Sequence, residues 1–283
     1  MAGAAPRPLG WPLPRAPDGR GHPVTHLFRR LRSWSPQNVE ALAPALPVFV
    51  PQMFSGLDPL GIGLVLVLLV LSLGVHEAAH AWVAWKCGDP TAKDLGRITL
   101  NPLPHIDPFM TILLPGFLLM SSNGQRFFGG AKPVPVSFHR LRHPWRDMCL
   151  VAIAGPLSNF VLAAFFWTAS HFFVKTGWYN GAAGYIDARQ GDLLPQVLAS
   201  AAFWNLLLTV FNLVPIPPLD GSRVMAYLLP PAMREHYLAI GQYGMLLVFG
   251  LLYFSPPFNR FVFSTLLNLS GAMTSMLTLG GRW

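Results

Sequence analysis

The sequence predicts an all-α polytopic membrane protein with about four to six transmembrane helices and a short membrane-associated β-hairpin or extended segment. Three observations carry this prediction. Hydrophobic residues make up 52% of the 283 positions and charged residues only 11%, with a mean hydropathy of +0.43, a balance too apolar for a typical soluble domain. Several nearly uncharged runs approach the roughly 20 residues needed to cross a bilayer. Between them, closely spaced prolines rule out continuous helix. The net charge of +8 resides in loops beside apolar runs, as topology-setting charges do, so lipid rather than nucleic acid is the acidic partner. Cys87 and Cys149 form no Cys-x-x-Cys pair, which indicates free thiols and neither a disulfide framework nor a thiolate metal site.

Residues 1–55 are rich in proline and carry Arg7, Arg15, Arg20, Arg29, Arg30 and Arg32 against Asp18 and Glu40. This composition resists a packed core and reads as a tail that is disordered or lies on anionic headgroups. The apolar stretch 42–54 is broken by Pro44, Pro47 and Pro51 and is too short to span.

Asp58 and Pro59 have the signature of an N-cap followed by the first helical residue. The uncharged run from Leu60 continues as helix through Trp85 to Lys86, before Gly88 and Pro90 stop it. Within it lies His76-Glu77-Ala78-Ala79-His80. Residues four apart share one helical face, so both imidazoles can reach a single metal ion, with Glu77 beside them within reach of water. With Lys86 at the interface, His80 falls roughly 9 Å and His76 roughly 15 Å below it. Ionisable groups at such depth are costly and mark a functional site.

Arg97 to Pro102 has the composition of a short strand entering a turn, and 109–120 is an apolar run with Pro115-Gly116 in its middle, a short span or a segment that dips in and returns. Lys132-Pro133-Val134-Pro135-Val136 favours extended backbone. Residues 148–173 form the next span; Ala152, Ala154, Gly155 and Ser158 permit close helix contact, and Pro156 frees a carbonyl. Asn159 sits deep in it, with interhelical hydrogen bonding and a part in the site's geometry both open. A further span, 198–214, carries Asn205 and Asn212 and runs into Pro215, Pro217 and Pro218, predicted as an extended strip that lines a cavity or binds another chain. Two apolar segments, 238–254 and 261–279, close the chain. Eight Lys and Arg residues lie between positions 86 and 146 and two between 174 and 197, which puts the first loop inside. The basic tail opposes that assignment, so the topology stays open.

A catalytic zinc site uses three protein ligands and an open position, and the first helix supplies two. Asp220 is the natural third, in competition with capping the helix predicted at 221–229. The other histidines show no second pair at ligand spacing.

Taken together, His76-Glu77-Ala78-Ala79-His80, Arg97 to Pro102 with His105-Ile106-Asp107-Pro108, Ala131 to Val136, Ala154-Gly155-Pro156-Leu157-Ser158-Asn159, and Asn212 to Gly221 resemble the motifs of the site-2 protease family, in that family's order. The resemblance covers roughly residues 58–225. It implies an intramembrane zinc metalloendopeptidase of the cell membrane that hydrolyses peptide bonds in or near the transmembrane segments of protein substrates. One Zn2+ per chain is held by His76, His80 and Asp220, Glu77 is the catalytic base, and Asn159 and Asn212 support the site or the substrate. Residues 56–225 are then the protease core and 226–283 the C-terminal membrane helices. Positions 174–197 leave no room for an inserted peptide-binding domain, so the chain looks like a compact, core-only member.

A multi-pass transporter would also account for broken helices and buried asparagines, but has no need of the paired histidines matched to a distant aspartate. A zinc-stabilised membrane scaffold would use the same ligands without Glu77.

Overall fold

The computed structural model describes residues 59–121, 129–176 and 193–279. The tail and the expected N-cap Asp58 lie outside them. Helix α1, Pro59–Lys86, is a single uninterrupted rod, about 42 Å long at helical rise. It stops where Gly88 takes a left-handed φ of 111°, a conformation that suits glycine. A short α2, Thr91–Asp94, follows.

Residues 97–102, expected as a strand, are irregular and lead into a 3-10 turn at Leu103–His105. Asp107 then caps the next helix by accepting the amides of Phe109 and Met110. That element opens with a π-helical stretch, Pro108–Leu113, and continues as α3, Leu114–Ser121, too short to cross a bilayer. An extended strip from Gly129 ends at a 3-10 turn, Phe138–Arg140. Helices α4, Pro144–Thr176, and α5, Leu193–Asn212, follow. They lead to α6, Asp220–Leu228, and α7, Pro231–Ala239, then to α8, Gly244–Phe254, and α9, Pro256–Leu279.

Among the described residues, three helices are long and apolar enough to cross a membrane: α1, α4 and α5. Counting α8 and α9, bent by 83° where they join, as one broken span makes four, the lower end of the expected range. The expected β-hairpin is not formed: no strand occurs among the described residues. Pro133 and Pro135 impose extension yet have no N–H to contribute to a ladder. The strip instead donates Lys132 N–H to the His105 carbonyl at 2.8 Å and Ser137 N–H to Asp89 Oδ2 at 2.6 Å.

Helices α1, α4 and α5 pack against one another to form the core. Val65 and Leu69 of α1 meet Val197 and Trp204 of α5, while Ala163 of α4 meets Phe203 and Leu206 of α5 and Leu266 of α9. Polar pins fix these contacts. Asn205 donates to Ser72 Oγ at 3.0 Å, and Ser170 Oγ donates to the Pro195 carbonyl at 2.9 Å. With no competing water in an apolar interior, such bonds select one helix register.

Candidate metal centre

Helical spacing on α1 aims His76 and His80 in one direction, and both are buried. The carboxylate of Asp220 meets them there: Oδ2 lies 3.2 Å from His76 Nε2 and 3.3 Å from His80 Nε2, and the two Nε2 atoms are 3.0 Å apart. Ligand atoms about 2.0–2.1 Å from a tetrahedral ion stand roughly 3.3 Å from each other, so the three donors fit one such cation. Asp220 is the first residue of α6, whose N-cap is Leu219 and has no side-chain cap. The carboxylate is turned to the imidazoles rather than to the helix end.

Helix α4 closes the other side. The Val151 carbonyl lies 2.6 Å from His80 Nδ1. A carbonyl can only accept, so Nδ1 carries the proton and Nε2 keeps its lone pair for the centre. Gly155 sits one turn further on, directly over the pair: a Cβ there would collide with the His80 ring and fall 2.6 Å from His76 Cε1. This hydrogen-only cradle, with three converging donors, fits a bound ion.

The loop that delivers Asp220 differs from its expected form. Residues 213–219 make turns, with Ile216 N–H on the Val214 carbonyl and Leu219 N–H on that of Ile216. The prolines exclude helix as predicted, but Val214 and Leu219 bury in a cluster with Val248 and Val262 and fold the strip inward. Gly221 permits the close return, since a Cβ there would fall 2.6 Å from the Val214 carbonyl oxygen.

Glu77 is half-buried, and its Oε2 accepts the Val134 main-chain N–H at 2.9 Å. Asn159 is fully buried one turn beyond Gly155, and neither atom of its amide is hydrogen-bonded. Asn212, half-buried, ends α5 at the start of the loop to Asp220. Val151 and Gly155 were not foreseen as site residues, nor was the Val134 amide as the partner of Glu77. The small residues of α4 signalled close packing but not its partner, and a main-chain amide leaves no mark in a sequence.

Residues 64–254 match Peptidase family M50. The chain belongs to that family of zinc-dependent site-2 proteases. This M50 peptidase is a membrane zinc metalloprotease. It is 38% identical over 200 residues to the protein named "Putative zinc metalloprotease YwhC" of Bacillus subtilis, covering 71% of this chain and 84% of that one. It is 30% identical over 223 residues to "Putative zinc metalloprotease Rip2" of Mycolicibacterium smegmatis, covering 75% and 76%. No solved structure matches it significantly.

Proposed function

We propose that this M50 peptidase is a multi-pass enzyme of the cell membrane that cleaves protein substrates within or next to their transmembrane segments. His76, His80 and Asp220 are its zinc ligands and Glu77 its general base. The observation that carries this reading is the convergence of the Asp220 carboxylate on two histidines carried by a helix apolar enough to span a bilayer. Zinc held there supplies Lewis-acid polarisation and brings the pKa of water towards neutrality. Glu77 takes the proton from the attacking water and returns it to the leaving amine. Asn159, fully buried with an unspent amide one turn from the ligand cradle, is suited to a polar group of the substrate, and Asn212 supports the loop that carries Asp220.

A peptide bond within a substrate helix is shielded by its own hydrogen bonds, so the substrate unwinds and is held extended. The strip 132–136 offers the pairing edge. Its donors at 132 and 134 turn inward, and alternation then turns the carbonyls of the exposed Pro133 and Pro135 outward. That edge accepts substrate N–H groups and offers none of its own between them.

The deciding experiment compares detergent-purified wild type with Glu77→Gln on a single-span protein substrate, with bound zinc quantified. Equal zinc near one per chain with cleavage by wild type alone is the expected result. Zinc in both with cleavage by both removes Glu77 from its role, and absence of zinc from folded protein removes the ligand set.

A further inference from the structure

The structure assigns a second function to the 132–136 strip: the main-chain N–H of Val134 is the positioning donor for Glu77. This rests on Glu77 as general base. Glu77 Oε2 accepts that N–H at 2.9 Å across 57 positions of sequence. A carboxylate on a long side chain has several rotamers, and one fixed donor selects among them and leaves Oε1 for the proton.

The donor itself is held from both sides along α1. Towards the start of that helix, Lys132 N–H bonds the His105 carbonyl, and the His105 ring packs beside Gly74, where a Cβ would stand 3.8 Å from its Cδ2. Beyond the end of the helix, Ser137 N–H bonds Asp89 Oδ2. Asp89 is fully buried, and its Oδ1 also accepts from the amide and hydroxyl of Thr91. Glu77 lies between these two anchors, so the helix that carries the base also fixes the base's donor. Upstream, Gly130 N–H bonds the Met110 carbonyl at 3.0 Å, and Thr111 Oγ donates to the Gly130 carbonyl at 2.6 Å.

The flanking prolines make this arrangement specific. A slip of the strip by one residue in either direction would place Pro133 or Pro135, neither of which has an N–H, opposite Glu77. Val134 is the one donor this register can present.

The prolines also provide the test. Within Pro133-Val134-Pro135 only Val134 has an exchangeable amide, so deuterium uptake over these three residues reports a single hydrogen. In purified full-length protein, Glu77→Ala should speed that exchange at least about tenfold over wild type, whereas Glu77→Gln, which keeps an acceptor oxygen, should leave most of the protection. Equal exchange in wild type and Glu77→Ala would overturn the assignment, whether or not any substrate is cleaved. The kinetic counterpart uses Val134→Pro, which removes the N–H, and Val134→Ala, which keeps it. Val134→Pro should lower kcat about 10- to 100-fold with KM and zinc content little changed, and Val134→Ala should stay within about threefold of wild type. Equal loss in both variants would place the effect in the side chain and refute the amide's role. Should Val134→Pro fail to fold, the exchange comparison decides alone. Absence of cleavage by wild type itself would count against the proposed protease function and leave the exchange result standing.

Discussion

Gly155 and His80 approach so closely that a single methyl group cannot fit between them. The contact joins α4 to the face of α1 that carries His76 and His80, and the Val151 carbonyl holds the His80 imidazole from its other edge. Gly155→Ala should therefore displace both rings. Zinc affinity is expected to fall by about 10- to 100-fold, the usual cost of disturbing the support around a ligand. Competition with a chromophoric chelator measures it, and unaltered affinity would show that α4 can retreat.

Asn159 invites a separation of stability from activity. Its amide forms no hydrogen bond, so removing it forfeits packing but no interhelical hydrogen bond. Asn159→Ala should unfold within a few degrees of wild type while cleavage falls about tenfold or more. A large drop in thermal stability with normal cleavage would instead make the residue helix glue.

Acid should loosen the 3-10 turn that anchors the extended strip. Burial, aided by the nearby Arg97 charge, pulls the His105 pKa below its ordinary value, although the Thr99 carbonyl and Glu77 oppose the shift. A depressed folded-state pKa means the unfolded chain binds the proton more readily. Stability is then fully present above about pH 6.5 and declines as pH falls from there through the folded-state pKa. The fall in thermal midpoint between about pH 7.5 and 5.5 should be smaller in His105→Gln than in wild type. Parallel profiles would assign the acid sensitivity to other groups.

Much of this site was legible because helical periodicity is a local rule. Residues four apart share a face whatever surrounds them, so His76, Glu77 and His80 could be read from α1 alone. Asp220 required a weaker argument, a carboxylate in a proline-broken segment at membrane depth, and the folded chain brings it to both imidazoles. The failures came where one local signal was given more than it determines. Pro133 and Pro135 specify extension, but they leave the outward edge without donors, and the N–H groups of Lys132 and Val134 go to the His105 carbonyl and Glu77 rather than to a partner strand. Pro215, Pro217 and Pro218 exclude helix, and only burial of Val214 and Leu219 against α8 and α9 decides between a strip and turns. The partners of Gly155 and Val134 depend on packing between distant segments, which no periodicity encodes.

The distribution of the triad along the chain has a consequence for biogenesis. The imidazoles are synthesised with α1, whereas the carboxylate that completes the set emerges only after α4 and α5. A chain synthesised only through α5 carries His76, Glu77 and His80 but not Asp220, so the proposed ligand set is incomplete until α6 is made.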